Sequence, residues 1–177
     1  MAKNSPAFDH EYLEYLHRNA DQIRGLVGLV TDEPVDVQAI VKHFGAKVKR
    51  EEIEGFDASE FSGIIRMNRG VPVIIVNKNQ SQERENVTIL EEVCHLYYKH
   101  PLETLGQGGR NHRSEIEQEA YQTAAAVLLP AVVVAKAVYK RTPVEEITRK
   151  YGASKELFDM RVKVMGLWDL FTQKEAA

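Results

Sequence analysis

Between Ala46 and Val76 the apolar residues of this chain abandon helical spacing, and that change of period narrows the available folds more than any other feature. Phe61, Gly63, Ile64, Ile65 and Met67 form one β-rich run, and Val71, Val73, Ile74, Ile75 and Val76 form another. Asn68, Arg69 and Gly70 separate them, so a hairpin is expected from Phe61 to Val76. The unbroken run Val73 to Val76 suits a strand covered on both faces, with Asn77 to Gln82 as its polar exit. Ala46 and Val48 add a shorter β-type piece.

Helical spacing surrounds this island. Tyr12, Tyr15, Leu16, Ile23 and Leu26 mark a helix over Phe8 to Leu26, and Val37, Ile40, Val41 and Phe44 mark a shorter one. The shorter helix is opened by the acidic and proline residues of Asp32 to Val35 and closed by Gly45. A third helix is expected from about Glu85 to Lys99, ended by Pro101. After the Gly-rich segment Leu105 to Arg113, a fourth runs from Ser114 to about Leu129 and stops at Pro130, with Ser114 and Glu117 as a capping box. Beyond it come an Ala/Val stretch, a helix from Thr142, Pro143 and Glu145 to Tyr151, and one from Ser154 through Phe171. The expectation is an α+β fold, with helices packed on a small mixed sheet, paired site helices and a C-terminal helical extension. Residues 1–130 would form the core with its N-terminal helices, and 131–177 a helical subdomain packed on it.

With 23 basic and 26 acidic residues the chain has no polybasic character that would draw it to nucleic acid or anionic lipid. No apolar run approaches the roughly 20 residues that span a bilayer, and Met1 to Pro6 lack the apolar core of a secretion signal. A single cysteine, Cys94, allows no internal disulfide, so a cytoplasmic setting is expected.

The chemistry concentrates in Glu91, Glu92, Val93, Cys94 and His95. Helical zinc hydrolases place two histidines four residues apart, with a glutamate beside the first to activate water. Here Glu91 stands where the first histidine belongs. On a helix Glu91 and His95 share a face and Glu92 lies one position round. Spacing alone would favour an ordinary solvated acidic face. The following helix changes that balance, because Glu117, Ala120, Ala124 and Leu128 fall on one stripe and place a carboxylate on a small-residue face. Glu91, His95 and Glu117 are therefore the candidate metal ligands and Glu92 the candidate base. Glu119 ranks below Glu117 because it turns toward Gln122 and Ala126. A carboxylate in place of imidazole makes the donor set harder and richer in oxygen, which opens it to manganese or iron besides Zn2+, or weakens metal binding altogether.

Neighbouring residues carry simpler readings. Cys94 and His95 diverge by about 100 degrees on a helix, so they cannot pair as nucleophile and base, and Cys94 reads as buried and structural. His100 and His112 read as loop histidines rather than ligands, Gly106 to Gly109 as a flexible lid rather than a phosphate cradle, and Tyr97, Tyr98 and Tyr121 as packing residues.

The near H-E-x-x-H helix, followed by Glu117, Gln118, Glu119, Ala120 and an Ala-rich run to Leu128, Leu129 and Pro130, resembles the ImmA/IrrE family of short gluzincin metallopeptidases from Val35 to about Leu167. That resemblance implies His95 and Glu117 as zinc ligands, Glu92 as general base, and as partner a protein substrate such as a helix-turn-helix repressor. Glu91 feeds an alternative, a catalytically inactive pseudoprotease that binds its repressor without cutting it. A weaker alternative takes Val144 to Gly166 as a DNA-reading helix-turn-helix with Arg161 and Lys163 as its positive charges, against which stand Glu156 and Asp159. Neither membrane association nor direct nucleic-acid binding is expected, and the oligomeric state is left open.

Overall fold

The β-branched run becomes the centre of the sheet. In the computed structural model, which describes residues 9–30, 32–52, 62–102 and 115–173, three strands are ordered β1 (Lys47–Glu51), β3 (Val71–Asn77) and β2 (Gly63–Asn68). β2 and β3 pair antiparallel with Asn68 opposite Val71, and β1 lies parallel to β3 with Lys47 opposite Val73. The sheet is therefore mixed, as expected. Arg69 (φ 50°) and Gly70 (φ 79°) form the two-residue turn, whose two positive φ values match the twist of the strands. Val73 to Val76 are all buried, as a central strand covered on both faces requires.

Helices supply the cover. α1 (His10–Gly25) and α2 (Val37–His43) precede the sheet, and α3 (Gln82–Tyr98) and α4 (Glu115–Leu128) follow it. α2 starts later than its acidic run suggested, because Asp36 rather than Asp32 caps it, accepting from the Gln38 N–H at 2.9 Å. α3 begins at Ser81, whose hydroxyl accepts from the Arg84 N–H, and Glu85 in its first turn takes a bidentate contact from Arg50 of β1. From Val87 to His95 every residue of α3 is buried, so this helix runs through the middle of the molecule, packed by α4, α2 and the sheet. Ala120 and Ala124 of α4 are fully buried, the small-residue face that lets α4 lie close to its neighbours.

The C-terminal part contains α5 (Ala131–Lys140), α6 (Val144–Tyr151), α7 (Lys155–Val164) and α8 (Trp168–Thr172). The helix expected from Ser154 through Phe171 is broken in two at Gly166 (φ 68°), where the left-handed conformation ends the first helical run. Among the described residues no single helix is long and apolar enough to cross a membrane. Phe61, the Ser114 half of the capping box, Gly106 to Gly109 and His112 lie outside the described residues.

Candidate functional site

α3 and α4 pack on each other, and two of the expected residues, His95 and Glu117, approach each other across that interface. Glu91, Glu92 and His95 are 2%, 4% and 1% exposed, so the solvated acidic face that their spacing alone would favour is not what the chain forms. Across the interface Glu117 Oε1 lies 3.7 Å from His95 Nε2, with the Glu117 side chain partly exposed. A buried carboxylate is costly unless hydrogen bonds or charge compensate it, and two of them, Glu91 and Glu92, are buried on the helix that carries His95. Their field is felt at Cys94. Its thiol is pushed well up, first by burial and then by the carboxylates of Glu91, Glu119 and Glu92, which keeps it protonated and inert, as a structural cysteine should be.

Sequence reasoning missed the other side of His95. Its Nδ1 lies 2.9 Å from His100 Nδ1, and His100 Nε2 lies 3.0 Å from Glu119 Oε2. The reason is local. Lys99 closes α3 in the left-handed conformation (φ 57°), sending the His100 N–H back to the His95 carbonyl at 3.0 Å and folding the His100 ring beside that of His95. Tyr98 stacks on His100 and bonds Thr123 of α4 through its hydroxyl at 2.7 Å, so it packs as expected but also clamps the ring. Burial raises the Tyr98 phenol, which stays protonated. Glu119 therefore joins the site through His100, while Glu117 faces His95 directly. A left-handed residue at a helix end is normally announced by glycine, and lysine at 99 gives no such signal.

The donor set suits a divalent cation in kind, since one imidazole nitrogen and carboxylate oxygens are the ligands of zinc and its harder neighbours. In separation it is half assembled. His95 and Glu117 face each other across the interface, but among the described residues no three His, Cys, Asp or Glu side chains converge closely enough to hold an ion.

The positive charges of the helix-turn-helix reading fare differently. Arg161 is buried, its Nε donating to the Leu129 carbonyl at 3.3 Å and its Nη2 to His17 Nε2 at 3.0 Å, so it is not available to a DNA backbone. The turn between α6 and α7 is also occupied, because Asn86 of α3 donates to the Gly152 carbonyl at 2.9 Å. The burial of Arg161 corrects its assignment as a positive charge of a DNA-reading helix-turn-helix.

A buried acidic α3 carrying Glu92 and His95, with a carboxylate supplied by the next helix, is the arrangement of a metallopeptidase-like domain. The family model described as the IrrE N-terminal-like domain, a peptidase family, matches residues 41–163, and the chain belongs to that family. A comparison with curated proteins finds no match.

Proposed function

We propose that this chain is an intracellular metallopeptidase that acts on a regulatory protein, of the helix-turn-helix repressor kind, with Glu92 as its proton-handling residue. The approach of Glu117 to His95 across the buried α3–α4 interface, beside Glu92, supports this reading. A divalent cation held by His95, Glu117 and Glu91 would polarise the scissile carbonyl and acidify a water. Glu92 would take a proton from that water and pass it to the leaving amine, a role typically worth 10²–10⁴-fold in rate. His95 and Glu117 would hold their orientation through the packing of the two helices.

A second reading is favoured by Glu91 and by the lack of a convergent trio among the described residues: a pseudoprotease that grips the repressor and leaves it intact. Metal analysis of the purified protein and a repressor-cleavage assay with Glu92→Gln separate the two. Bound metal, with cleavage reduced at least about 100-fold in the variant, supports the peptidase. Metal-free protein that forms a stable complex with uncut repressor supports the binder. Glu91→His restores a neutral imidazole and is expected to tighten Zn2+ binding, measured by competition with a chromophoric chelator; unchanged affinity would show that position 91 does not face the metal.

A further inference from the structure

Three side chains form a line that ends on the proposed metal ligand: Glu119, His100 and His95, linked at 3.0 Å and 2.9 Å. We infer that Glu119 and His100 are positioning residues that fix the tautomer of His95, with the proton on Nδ1 and the lone pair of Nε2 presented to the Glu117 side. The inference rests on the reading of His95 as a working site residue.

The direction of the chain follows from its ends. A carboxylate only accepts, so His100 donates to Glu119 from Nε2. In a neutral ring the other nitrogen is then an acceptor, so His100 Nδ1 receives a proton from His95 Nδ1. Two facing ring nitrogens at 2.9 Å share one proton, and this order places it on His95. His95 Nε2 is left as the acceptor, and its 3.7 Å separation from Glu117 Oε1 exceeds a hydrogen bond, so that contact requires no proton on Nε2. The relay is braced on one side by aromatic stacking: Tyr98 lies flat against His100 with ring centroids 5.4 Å apart, and Tyr15 stacks on Tyr98. Outer partners of this kind orient metal-binding histidines and are commonly worth 10–100-fold in metal affinity.

The test is the tautomer itself, read by long-range proton–nitrogen NMR on full-length protein labelled with 15N-histidine. Spectra are recorded well above the ordinary histidine pKa of about 6.5, after chelator treatment and again with Zn2+ alone. The wild type is expected to show His95 protonated on Nδ1 even without metal. His100→Phe, which keeps the stack on Tyr98, and Glu119→Leu should release His95 to the Nε2-protonated form and weaken Zn2+ binding about 10–100-fold, whereas Glu119→Gln, which retains an acceptor oxygen, should preserve the pattern. An Nε2-protonated His95 in the chelator-treated wild type overturns the inference, as does an unchanged tautomer in both disrupting variants. Should a variant fail to fold, the wild-type spectrum still decides. A wild type with the expected tautomer but no cleavage or metal sinks the peptidase reading and leaves the relay standing; cleavage with the opposite tautomer does the reverse.

Discussion

Gly63 opens β2 directly beneath the site helix, and its missing side chain is a packing requirement. A Cβ there would meet Thr88 Cγ2 of α3 at 2.5 Å and the Ile75 carbonyl at 3.1 Å. Gly63→Ala is therefore expected to lose about 1–3 kcal/mol by overpacking, measured by urea denaturation. Thr88→Ser deletes the methyl group that the new Cβ would strike, so the double variant should recover part of the loss; additive losses would show that the clash is not the cause. At this scale the sequence was informative wherever spacing decides contact. Glu91 and His95 share a face because they are four apart, and Glu117 could be placed from its alanine stripe. It was uninformative for His100 and Glu119, whose meeting depends on a left-handed lysine and on a contact between two helices.

At the scale of elements, α7 docks on α1 through a buried cation with an imidazole as its neighbour. Burial lowers the Arg161 guanidinium to about 10, and His17, which accepts its hydrogen bond, is lowered to about 4 by its own burial and then by the Arg161 charge. The sign follows from linkage. The folded state keeps His17 neutral, whereas the unfolded chain protonates it near the ordinary value of 6.5. Its contribution is thus fully present above about 6.5 and is lost as the pH falls toward about 4. Since His17 is only partly buried, the loss is expected to be on the order of 1–2 kcal/mol rather than the full shift. Urea midpoints over that pH range should fall more steeply in the wild type than in His17→Gln, which keeps an acceptor for Arg161 but does not titrate; equal slopes would remove His17 as the cause. Element boundaries were legible where a cap or glycine marks them, as at Ser81 and Gly152. The docking of α7 was not, because a lone arginine in a sequence reads as solvent-facing and only the packed structure supplies the carbonyl and imidazole that replace water.

For the molecule as a whole, the decisive question is whether residues 131–177 are an appendage or part of one cooperative unit. The α+β class was readable from the two periods in the chain, but the distribution of core contacts was not, since α5 and α7 show the same amphipathic patterns in either case. One buried cluster joins Ile74 and Val76 of the sheet, Leu90 and Val93 of α3, Ala124 to Leu129, Val134 and Val138 of α5, and Phe158 and Val162 of α7. Polar ties cross the same division: Arg161 reaches the Leu129 carbonyl, Asn86 reaches Gly152, and the Tyr151 hydroxyl donates to the Asp32 carbonyl at 2.6 Å. Buried Leu, Val and Phe side chains contribute about 1.5–3 kcal/mol each, so losing those of α5 and α7 is comparable with the whole stability of a typical domain, about 5–15 kcal/mol. We therefore expect a single unfolding transition, with circular dichroism and the fluorescence of Trp168 in α8 giving coincident midpoints. A chain ended after Pro130 should lose cooperative folding and expose the apolar α4 face to dye binding. Two separated transitions in the full chain, together with a folded truncation, would establish the C-terminal helices as an independent subdomain and remove their packing as a support of the site helices.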